Sequence, residues 1–406
     1  MQTLKSSGSN QLLGMAHIMR LAFAGNNLSE ITAELTSRIA TNAFDSAALL
    51  DLSIVLQLNA NPHLAMDLQS DALRQQQYFE LKSNPKSPAL KLLAIMGPGE
   101  VMANTPVDFL VENSDIALSF LYLGEGLPVP TEIPEHDVAF VAVCESDQNQ
   151  NLLQHLSEVM RFWPKPFVNE PSRIAQLSRN RVSQCLVSAA GVAVSDAMRI
   201  TRSQLRALGD PSDSFSIPFP VIARPLDSHA GHGLARIDDC SQLERYLSKE
   251  NSLEFYVAPF VDYRSEDGMY RKYRIAILDG KPFAAHMAVS RRWMVHYLNA
   301  DMLNSESNRQ SEAEFMRSFD QEFGRKHKMA FASIDQKIGL NYYSIDCAET
   351  RDGKLLVFEL DSGAVVHSMD PIDLFPYKAP QMKRVFDAFR DMLMNKADVV
   401  SRRLVA

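Results

Sequence analysis

The stretch Gly339–Gly363, GLNYYSIDCAETRDGKLLVFELDSG, predicts a β-hairpin that carries acidic side chains. The pair Asp352-Gly353 separates two apolar runs, and glycine tolerates the positive φ that a hairpin turn needs. Glu359 and Asp361 are two residues apart, so they project from one face of the second strand. Pairing of the two strands across this turn would bring Asp346 close to both carboxylates.

These three carboxylates indicate a site for a divalent cation. Carboxylates gathered on an apolar sheet repel one another unless a cation joins them. Their hard oxygen atoms suit Mg²⁺ that is bound together with nucleotide phosphates. The alternative interpretation is that they are solvent-facing charges at the ends of strands. The largely apolar neighbours in VFEL and YSID favour burial, and with it a magnesium site formed by Asp346, Glu359 and Asp361.

A second stretch, Pro220–Ile237 or PVIARPLDSHAGHGLARI, predicts a strand, a loop and a returning strand. Arg224 ends the first strand and would supply a fixed positive charge with several hydrogen-bond donors. Small loop residues let the backbone N–H groups close over phosphate oxygens. The loop residues of interest are Ser228, His229, Gly231 and Gly233. Taken alone, the same pattern also fits a hairpin turn with glycines at positive φ.

The first part of the chain has a different character. From about Gln11 to Leu81 it is poor in Gly and Pro, and apolar residues recur at helical spacing, which predicts helices throughout. Asn61-Pro62 predicts a break, since the residue before proline avoids the α region. The pattern weakly resembles a tetratricopeptide repeat, with fewer units than a solenoid needs. We favour a helical domain, residues 1–82, that packs on its neighbour over one that forms a peptide-binding groove.

The pattern after residue 82 predicts two further domains. SNPKSP at 83–88 has the composition of a linker. Residues 89–170 alternate short apolar strands with helical patterns, which predicts an α/β domain with a parallel sheet. From about Pro218 strands dominate, and Asp279-Gly280 predicts another hairpin turn, so 171–406 is expected to be a mainly antiparallel α+β domain. Helices are predicted at Ala313–Met329 and Gln381–Met394.

The composition of the 406 residues excludes several classes of protein. With 46% hydrophobic and 22% charged residues the chain is too apolar to be disordered, and a net charge of −8 argues against a dedicated nucleic-acid binder. Apolar runs stay far below the ~20 residues that cross a bilayer, so no membrane span is expected. The start MQTLKSSGSNQ lacks the pattern of a secretory signal, and four cysteines without a CxxC pair fit reduced thiols. We therefore expect a cytoplasmic protein.

Taken in chain order, five segments resemble the ATP-grasp superfamily, the fold of glutathione synthetase, D-alanine:D-alanine ligase and the glutamate-adding peptide ligases. They are NEPSRIAQLSRNRVSQCLVSAAGVAVSD, PVIARPLDSHAGHGL, EFYVAPFVD, KYRIAILDGKPFAAHMAVS and the acidic hairpin GLNYYSIDCAETRDGKLLVFELDSG. The resemblance covers about residues 89–395. It implies an ATP-grasp domain preceded by an α/β domain, and an ATP- and Mg²⁺-dependent ligase that joins a carboxylate to an amine through an acyl phosphate.

The resemblance also implies roles for individual residues around the nucleotide. Arg181 and Arg224 match the positions where ATP-grasp enzymes usually place two phosphate-binding lysines. Arg274 matches a residue that faces the phosphates in the peptide ligases. The metal ligands would be Asp346, Glu359 and Asp361. The further nucleotide contacts would be Ser228, His229, Gly231 and Gly233 in a glycine-rich flap, Val257, Ala258 and Phe260 in a hinge beside adenine, and Asp262 at the ribose.

Other matches concern the substrates, and several positions depart from the family pattern. Arg291 is expected to stabilise the tetrahedral oxyanion, with Arg292 as the alternative, because the basic residue that commonly follows this strand is not at its usual place. His367 and Ser368 lie where the superfamily often contacts substrate. Both phosphate-binding lysines are arginines here, which keeps the charge but changes the donor geometry. Asp361 stands where Asn is more common and adds a negative charge.

Three functions remain open at this point. The first is a ligase for a small molecule or peptide that offers a carboxylate and an amine, with Arg291 and Arg274 as its catalytic residues. The second is a degenerate ATP-grasp protein that binds nucleotide and docks a partner through its helices, which the Lys-to-Arg changes favour. The third is a kinase-like use of the same fold. A homodimer is compatible with the resemblance, since this superfamily often dimerises.

Overall fold

The computed structural model describes residues 10–25, 27–208, 217–226, 228 and 231–405. The chain divides into two compact units. Unit 1 consists of Met1–Ala175, Leu340–Tyr343 and Ser362–Ala406, and unit 2 of Gln176–Gly339 and Ser344–Asp361. The predicted segments 1–82 and 89–170 are thus grouped together in unit 1.

The described residues form both helices and strands. The helices are, in chain order, α1 Met15–Phe23, α2 Ser29–Thr41, α3 Ser46–Leu58, α4 Pro62–Gln75, α5 Val107–Leu110, α6 Gln150–Met160, α7 Pro171–Ile174, α8 Arg179–Leu186, α9 Arg202–Ala207, α10 Cys240–Lys249, α11 Glu306–Ser318, α12 Phe323–Lys326, α13 Lys328–Ile338 and α14 Lys378–Val405. The strands are β1 Gln11–Leu12, β2 Tyr78–Leu81, β3 Leu90–Met96, β4 Ile116–Tyr122, β5 Val138–Val141, β6 Phe167–Val168, β7 Val192–Val194, β8 Met198–Thr201, β9 Val221–Pro225, β10 Ala235–Ile237, β11 Glu254–Pro259, β12 Tyr270–Leu278, β13 Lys281–Ser290, β14 Tyr342–Glu349 and β15 Leu355–Asp361.

Unit 1 is built on a six-stranded sheet in the order β1-β2-β4-β3-β5-β6. Strand β3 pairs in parallel with β4 and β5, and β5 pairs in parallel with β6. The sequence of β3 is LKLLAIM, and all of its residues except Lys91 are buried, as in a parallel sheet that is covered on both faces. The C-terminal helix α14 covers part of this sheet, with the ring of Phe389 5.8 Å from that of Phe140. The predicted α/β class is confirmed.

Helices α1 to α4 pack on one another in unit 1 around an apolar core that includes Ile18, Leu35 and Val55. Helix α3 begins after Asp45, whose carboxylate accepts the backbone N–H of Ala48 at 3.0 Å. Helix α4 begins with a proline, which is suited to a first helical position because its missing N–H has no partner there. The predicted break at Asn61-Pro62 is confirmed.

The predicted helix extends too far at its C-terminal end. Helix α4 ends at Gln75, and Tyr78–Leu81 forms β2, which runs antiparallel to β4. The residues of YFEL alternate in burial, with Phe79 and Leu81 buried, and this period of two belongs to a strand. The strand ties the helical segment to the sheet of unit 1. The tetratricopeptide-like repeat stays a prediction.

Unit 2 contains two sheets. The first has the order β10-β9-β11-β8, and its neighbouring strands are antiparallel. The second has the order β13-β12-β14-β15-β7, with β12–β13 and β14–β15 antiparallel and β15–β7 parallel. The mainly antiparallel character predicted for this part of the chain is confirmed. The hairpin turn predicted at Asp279-Gly280 joins β12 to β13, and both residues have positive φ, 44° and 76°.

The two helices predicted in the C-terminal half have different outcomes. Gln381–Met394 lies within α14, as predicted. Ala313–Met329 is wrong as a single helix, since α11 ends at Ser318 and separate helices α12 and α13 follow. The backbone leaves the helical region at Glu322, where φ is −112° and ψ is −90°. None of the helices in the described part of the chain combines the length and the apolar character that a bilayer crossing requires.

Candidate phosphate-binding site

The hairpin of β14 and β15 places two of the predicted carboxylates opposite each other. Asp346 is the cross-strand partner of Glu359, and Ser344 is the partner of Asp361. A register shift follows directly after Asp346, between it and Cys347. Asp346 is only 2% exposed. The predicted approach of Asp346 to Glu359 is therefore confirmed, whereas Asp361 is opposite Ser344.

Asp346 is neutralised by two basic side chains of β12. Arg274 donates from Nε to Oδ1 at 2.7 Å and from Nη2 to Oδ2 at 3.0 Å, and Lys272 Nζ lies 2.7 Å from Oδ2. Lys272 and Arg274 are two residues apart, so they share one face of the strand. Burial by itself would raise the pKa of Asp346, but these two cations hold it well below its usual range. Burial likewise disfavours the charged form of Arg274, and Asp346 outweighs that effect and raises the pKa of Arg274.

Glu359 is paired with a residue that the sequence did not single out. Its carboxylate contacts Nη2 of Arg179, the first residue of α8. Burial favours the neutral acid, but Arg179 outweighs it and lowers the pKa of Glu359. The predicted phosphate ligand of this segment was Arg181, which is exposed. Residues two apart on a helix are related by a rotation of about 200° around the helix axis, so the two arginines face different surroundings.

Arg224 lies on β9, close enough to Arg179 and Glu359 for their charges to act on it. It donates from Nε to Ser228 Oγ at 3.1 Å, and its Nη2 contacts the carbonyl oxygen of Ser228. Burial, and after it the positive charge of Arg179, lowers the pKa of Arg224 to about 10. A half-buried guanidinium beside a second cation favours the approach of an anion. This is the electrostatic property that a phosphate-binding position needs.

Two glycines between the antiparallel strands β9 and β10 have the positive φ that the hairpin-turn interpretation expects. Gly231 and Gly233 have φ of 80° and 65°. A Cβ atom on Gly233 would lie 2.6 Å from Cδ of Pro225, so no larger residue fits without a shift of the loop. Tyr246 donates its hydroxyl hydrogen to the carbonyl oxygen of Gly233 at 2.8 Å. His229 lies outside the described residues, and phosphate binding by this loop stays a prediction.

The predicted hinge lies inside the first sheet of unit 2. Val257 is paired with Met198 on one side and Ala223 on the other, and Ala258 is paired with Ile222. The adjoining Phe260 donates its backbone N–H to the carbonyl oxygen of Pro220 at 2.9 Å. The ring of Phe260 lies beneath the guanidinium of Arg236, 4.2 Å from ring centroid to Cζ. An adenine contact at these three hinge residues stays a prediction.

Two further predicted residues of unit 2 lie near the surface. Asp262 accepts hydrogen bonds from Arg264, which lowers its pKa to about 2, and it also pairs with Arg351 at 3.3 Å. Arg291 is exposed directly after the end of β13. Both positions are accessible to a ligand, and their roles at the ribose and the oxyanion stay predictions.

The predicted substrate contacts belong to unit 1. The ring of His367 lies 5.9 Å from that of Phe23 and 6.3 Å from that of Phe109. The carbonyl oxygen of Ser368 accepts a hydrogen bond from Arg20 at 3.1 Å. Both residues are therefore engaged in the packing of unit 1, and substrate contact by them stays a prediction.

The side chains do not fit the predicted magnesium site. Among the described residues, no group of three or more His, Cys, Asp or Glu side chains is arranged to hold a metal ion. The reason lies in the ion pairs, because both oxygens of Asp346 are occupied by basic groups and Glu359 faces Arg179. Metal binding by Asp346, Glu359 and Asp361 stays a prediction, which this arrangement of ion pairs does not favour. The hairpin of β14 and β15 instead carries carboxylates that are paired with basic side chains.

Comparisons with known proteins yield distant structural similarity. No family model matches the chain, and no curated protein matches it. Among solved structures it is similar to the VanG D-Ala:D-Ser ligase from Enterococcus faecalis, at 12% identity and a TM-score of 0.45 over 75% of this chain and 99% of that one. It is also similar to the D-alanine–D-alanine ligase from Bacillus anthracis complexed with ATP (14%, TM-score 0.46, 76% and 99%) and to that from Coxiella burnetii (11%, 0.45, 78% and 100%). At these values the likeness concerns the fold alone, and the chemistry is inferred below from the chain's own side chains.

Proposed function

We propose that this protein binds ATP and uses it to join a carboxylate to an amine. The observation that carries the proposal is a convergence of basic side chains on the acidic hairpin of unit 2. Arg179 contacts Glu359, and Lys272 and Arg274 contact Asp346, its cross-strand neighbour. Arg224 adds a fourth cation, whose lowered pKa reflects burial and the nearby charge of Arg179. The name basic cluster is used below for Arg179, Arg224, Lys272 and Arg274.

The basic cluster suits the phosphates of a nucleotide. Guanidinium groups offer paired donors that match phosphate oxygens, and they stay charged at any physiological pH. Partial burial strengthens each of these interactions relative to water. Ser228, which follows β9, lies directly beside Arg224 and is hydrogen-bonded to that side chain.

The proposed reaction has two steps. A carboxylate oxygen of the first substrate attacks the γ-phosphorus of ATP, the bond to the bridging oxygen breaks, and ADP leaves. The amine of the second substrate then attacks the acyl phosphate carbonyl and expels phosphate, which leaves an amide and a released proton. The basic cluster would offset charge on the transferring phosphoryl group, since positioning and electrostatics dominate such reactions. Arg291 is proposed to stabilise the oxyanion of the second step.

Other assignments from the resemblance remain part of this proposal. The substrates would be small molecules or peptides, contacted by His367 and Ser368, and the nucleotide would meet the hinge at Val257–Phe260 and Asp262. Magnesium is not assigned to these residues as they stand. No nucleic acid or membrane partner is proposed, a homodimer is compatible with the scheme, and the cytoplasm is the proposed compartment.

A thermal-shift titration with ATP and with ADP tests the binding step. A ligand that binds only the native state stabilises it by about 2.7 kcal/mol at a hundredfold excess over Kd. We expect ATP to raise the melting temperature of the wild type and to have little effect on Arg224→Gln. Arg206→Gln is the control, since Arg206 is exposed and pairs only loosely with Glu244 at 3.6 Å. Absence of any shift in folded wild-type protein would overturn the proposal.

Product analysis tests the chemistry. Acid and amine pairs are screened for ADP release, and the products are identified by mass spectrometry. An amide supports the ligase, whereas a stable phosphorylated acid or alcohol would indicate a kinase. ATP binding without turnover of any pair would favour the degenerate nucleotide-binding protein, which the occupied Asp346 carboxylate also favours.

A further inference from the structure

We propose that Asp346 is a positioning residue for Lys272 and Arg274, and that the basic cluster binds the phosphates of ATP without a divalent cation. This inference rests on the proposed function and adds to it the state of the ligand, an uncomplexed polyphosphate anion. It also gives the carboxylate a role that differs from the metal ligand expected from the sequence.

The contacts of Asp346 support its role as a positioning residue. Its carboxylate is 2% exposed and receives three contacts, two from Arg274 at 2.7 and 3.0 Å and one from Lys272 at 2.7 Å. A carboxylate has about four lone-pair positions and these contacts take three of them, so a metal ion at this side chain would lie against two positive groups. Removing the partner of a buried charge leaves that charge uncompensated, which is strongly unfavourable. The arrangement therefore favours Asp346 as an anchor that orients two cations.

The balance of charges at the basic cluster supports direct binding of an anion. The basic cluster has four positive groups, and the hairpin face that carries Asp346, Glu359 and Asp361 offers three carboxylates. Arg224 contributes most to this surplus, because it is hydrogen-bonded to the neutral hydroxyl and carbonyl groups of Ser228. A site with surplus positive charge attracts an anion directly, whereas a cluster of bare carboxylates would need a metal first.

Isothermal titration calorimetry tests the inference with three probes, ATP, ADP and inorganic tripolyphosphate. Each is titrated into the full chain in EDTA and again in excess MgCl₂. We expect the Kd of ATP to agree between the two buffers within about threefold, a difference of less than ~1 kcal/mol. Tighter binding in MgCl₂ by about tenfold or more would overturn the inference and leave the proposed function standing.

Tripolyphosphate, the third probe, shows whether a failure concerns ATP or the binding of any polyphosphate. Tripolyphosphate binding of equal strength in both buffers, with no binding of ATP, would overturn the proposed ATP-dependent function and also the inference as it is stated for ATP. Binding of neither ATP nor tripolyphosphate to folded protein would overturn both.

Variants of Lys272 test the positioning role without removing the anchor. Lys272→Met leaves the bidentate pair of Arg274 with Asp346 in place, and we expect it to weaken ATP binding about tenfold, equally in EDTA and in MgCl₂. Lys272→Arg, which keeps the charge, is expected to recover most of the affinity. Lys354→Met is the matched control, because Lys354 is exposed and pairs with Asp352 beside the hairpin turn.

The same comparison distinguishes a positioning residue from a metal ligand at Asp346. Asp346→Asn is expected to weaken ATP binding by the same factor in both buffers, measured at a temperature where circular dichroism shows folded protein. A loss confined to MgCl₂ would assign a metal to Asp346 and overturn the inference. If Asp346→Asn does not fold, the buffer dependence of Lys272→Met decides the question.

Discussion

Units 1 and 2 each bury aspartates, and they treat the buried charge in opposite ways. In unit 1, Asp51 accepts the backbone N–H groups of Leu13 and Gly14 at 2.8 and 3.2 Å, and Asp108 accepts that of Ala16 at 2.6 Å. These bonds surround the start of α1, where backbone N–H groups lack partners within the helix. In unit 2, Asp346 faces two cations instead.

The partners decide the sign of the pKa shift. Burial raises the pKa of Asp51 to about 7 and that of Asp108 to about 6, although the backbone N–H groups act against it. Burial acts in the same direction on Asp346, but Arg274 and Lys272 reverse the outcome. Neutral donors are sufficient to hold a helix end in place, whereas full countercharges keep a carboxylate ionised and its basic partners oriented. The comparison assigns a structural role to the first pair of acids and an electrostatic role to Asp346.

The largest expected effect concerns turnover. Glu359→Gln should reduce ATP-dependent ADP formation by more than about 100-fold, because Arg179 loses the charge that holds it in the basic cluster. ADP release, measured with circular dichroism as a check of folding, tests this prediction. Glu349→Gln is the control on the same hairpin, since Glu349 pairs with Lys326 on the helical side of unit 2. Unchanged turnover in Glu359→Gln would remove the hairpin from the proposed site.

Replacement of a buried aspartate by Asn should cost a different free energy of unfolding in each unit. Asp346→Asn leaves Lys272 and Arg274 without their countercharge and is expected to lower the free energy of unfolding by about 3–5 kcal/mol. Asp51→Asn at pH 8 loses one acceptor but also a buried charge, so a change within about 1 kcal/mol is expected. Urea unfolding of both variants at pH 8 measures the difference. Equal losses would show that the two sites are equivalent and break the comparison.

The pH dependence of stability sharpens the same contrast. Asp51 has a folded-state pKa of about 7 against an ordinary value of 3.8, so the native state keeps a proton that the unfolded chain has released. Its contribution is therefore fully present below about pH 4 and is lost as the pH rises through about 7, by up to ~1.4 kcal/mol per pH unit. Asp346 has the opposite sign, since its lowered pKa makes its contribution disappear toward acid pH.

Denaturant unfolding between pH 4 and pH 8 checks this prediction through the variants. Asp51→Asn should remove part of the decline in stability between about pH 4 and pH 7. Asp346→Asn should leave that part of the curve unchanged. A wild-type curve that rises with pH over this interval and is unaffected by Asp51→Asn would contradict the assignment of Asp51.

Two glycines, one in each unit, test the same separation of roles through backbone strain. Gly14 in unit 1 has φ of 88°, and a Cβ atom on it would lie 2.6 Å from Leu81 Cδ2. Gly233 in unit 2 has φ of 65° and meets Pro225 at the same distance. Replacement of either by Ala should destabilise the protein by about 1–2 kcal/mol because of the left-handed backbone. Only Gly233→Ala should also weaken ATP binding in calorimetry, and an equal loss in Gly14→Ala would contradict the separation of roles.

Local patterns account for what could be predicted. The hairpin that carries Asp346 and Glu359 was accessible because a turn dipeptide and an alternation of two residues are readable within one stretch of sequence. The strand Tyr78–Leu81 was missed because its partner is β4, about forty residues away, and local helical spacing outweighed it in the prediction. The choice between Arg179 and Arg181 required the rotational phase of α8, which two nearby basic residues do not reveal.

The sequence by itself determined the α/β class, the turns at Asp279-Gly280 and Asp352-Gly353, and the grouping of carboxylates on one hairpin face. These features follow from backbone preferences and side-chain alternation over a few residues. Only the tertiary structure decided what those carboxylates contact. Arg274 and Asp346 are 72 residues apart in the chain, and the ion pair between them depends on two strands being placed in one sheet. Because burial and countercharge act through space, the same residue type became an anchor for cations in unit 2 and an acceptor for backbone N–H groups before α1 in unit 1.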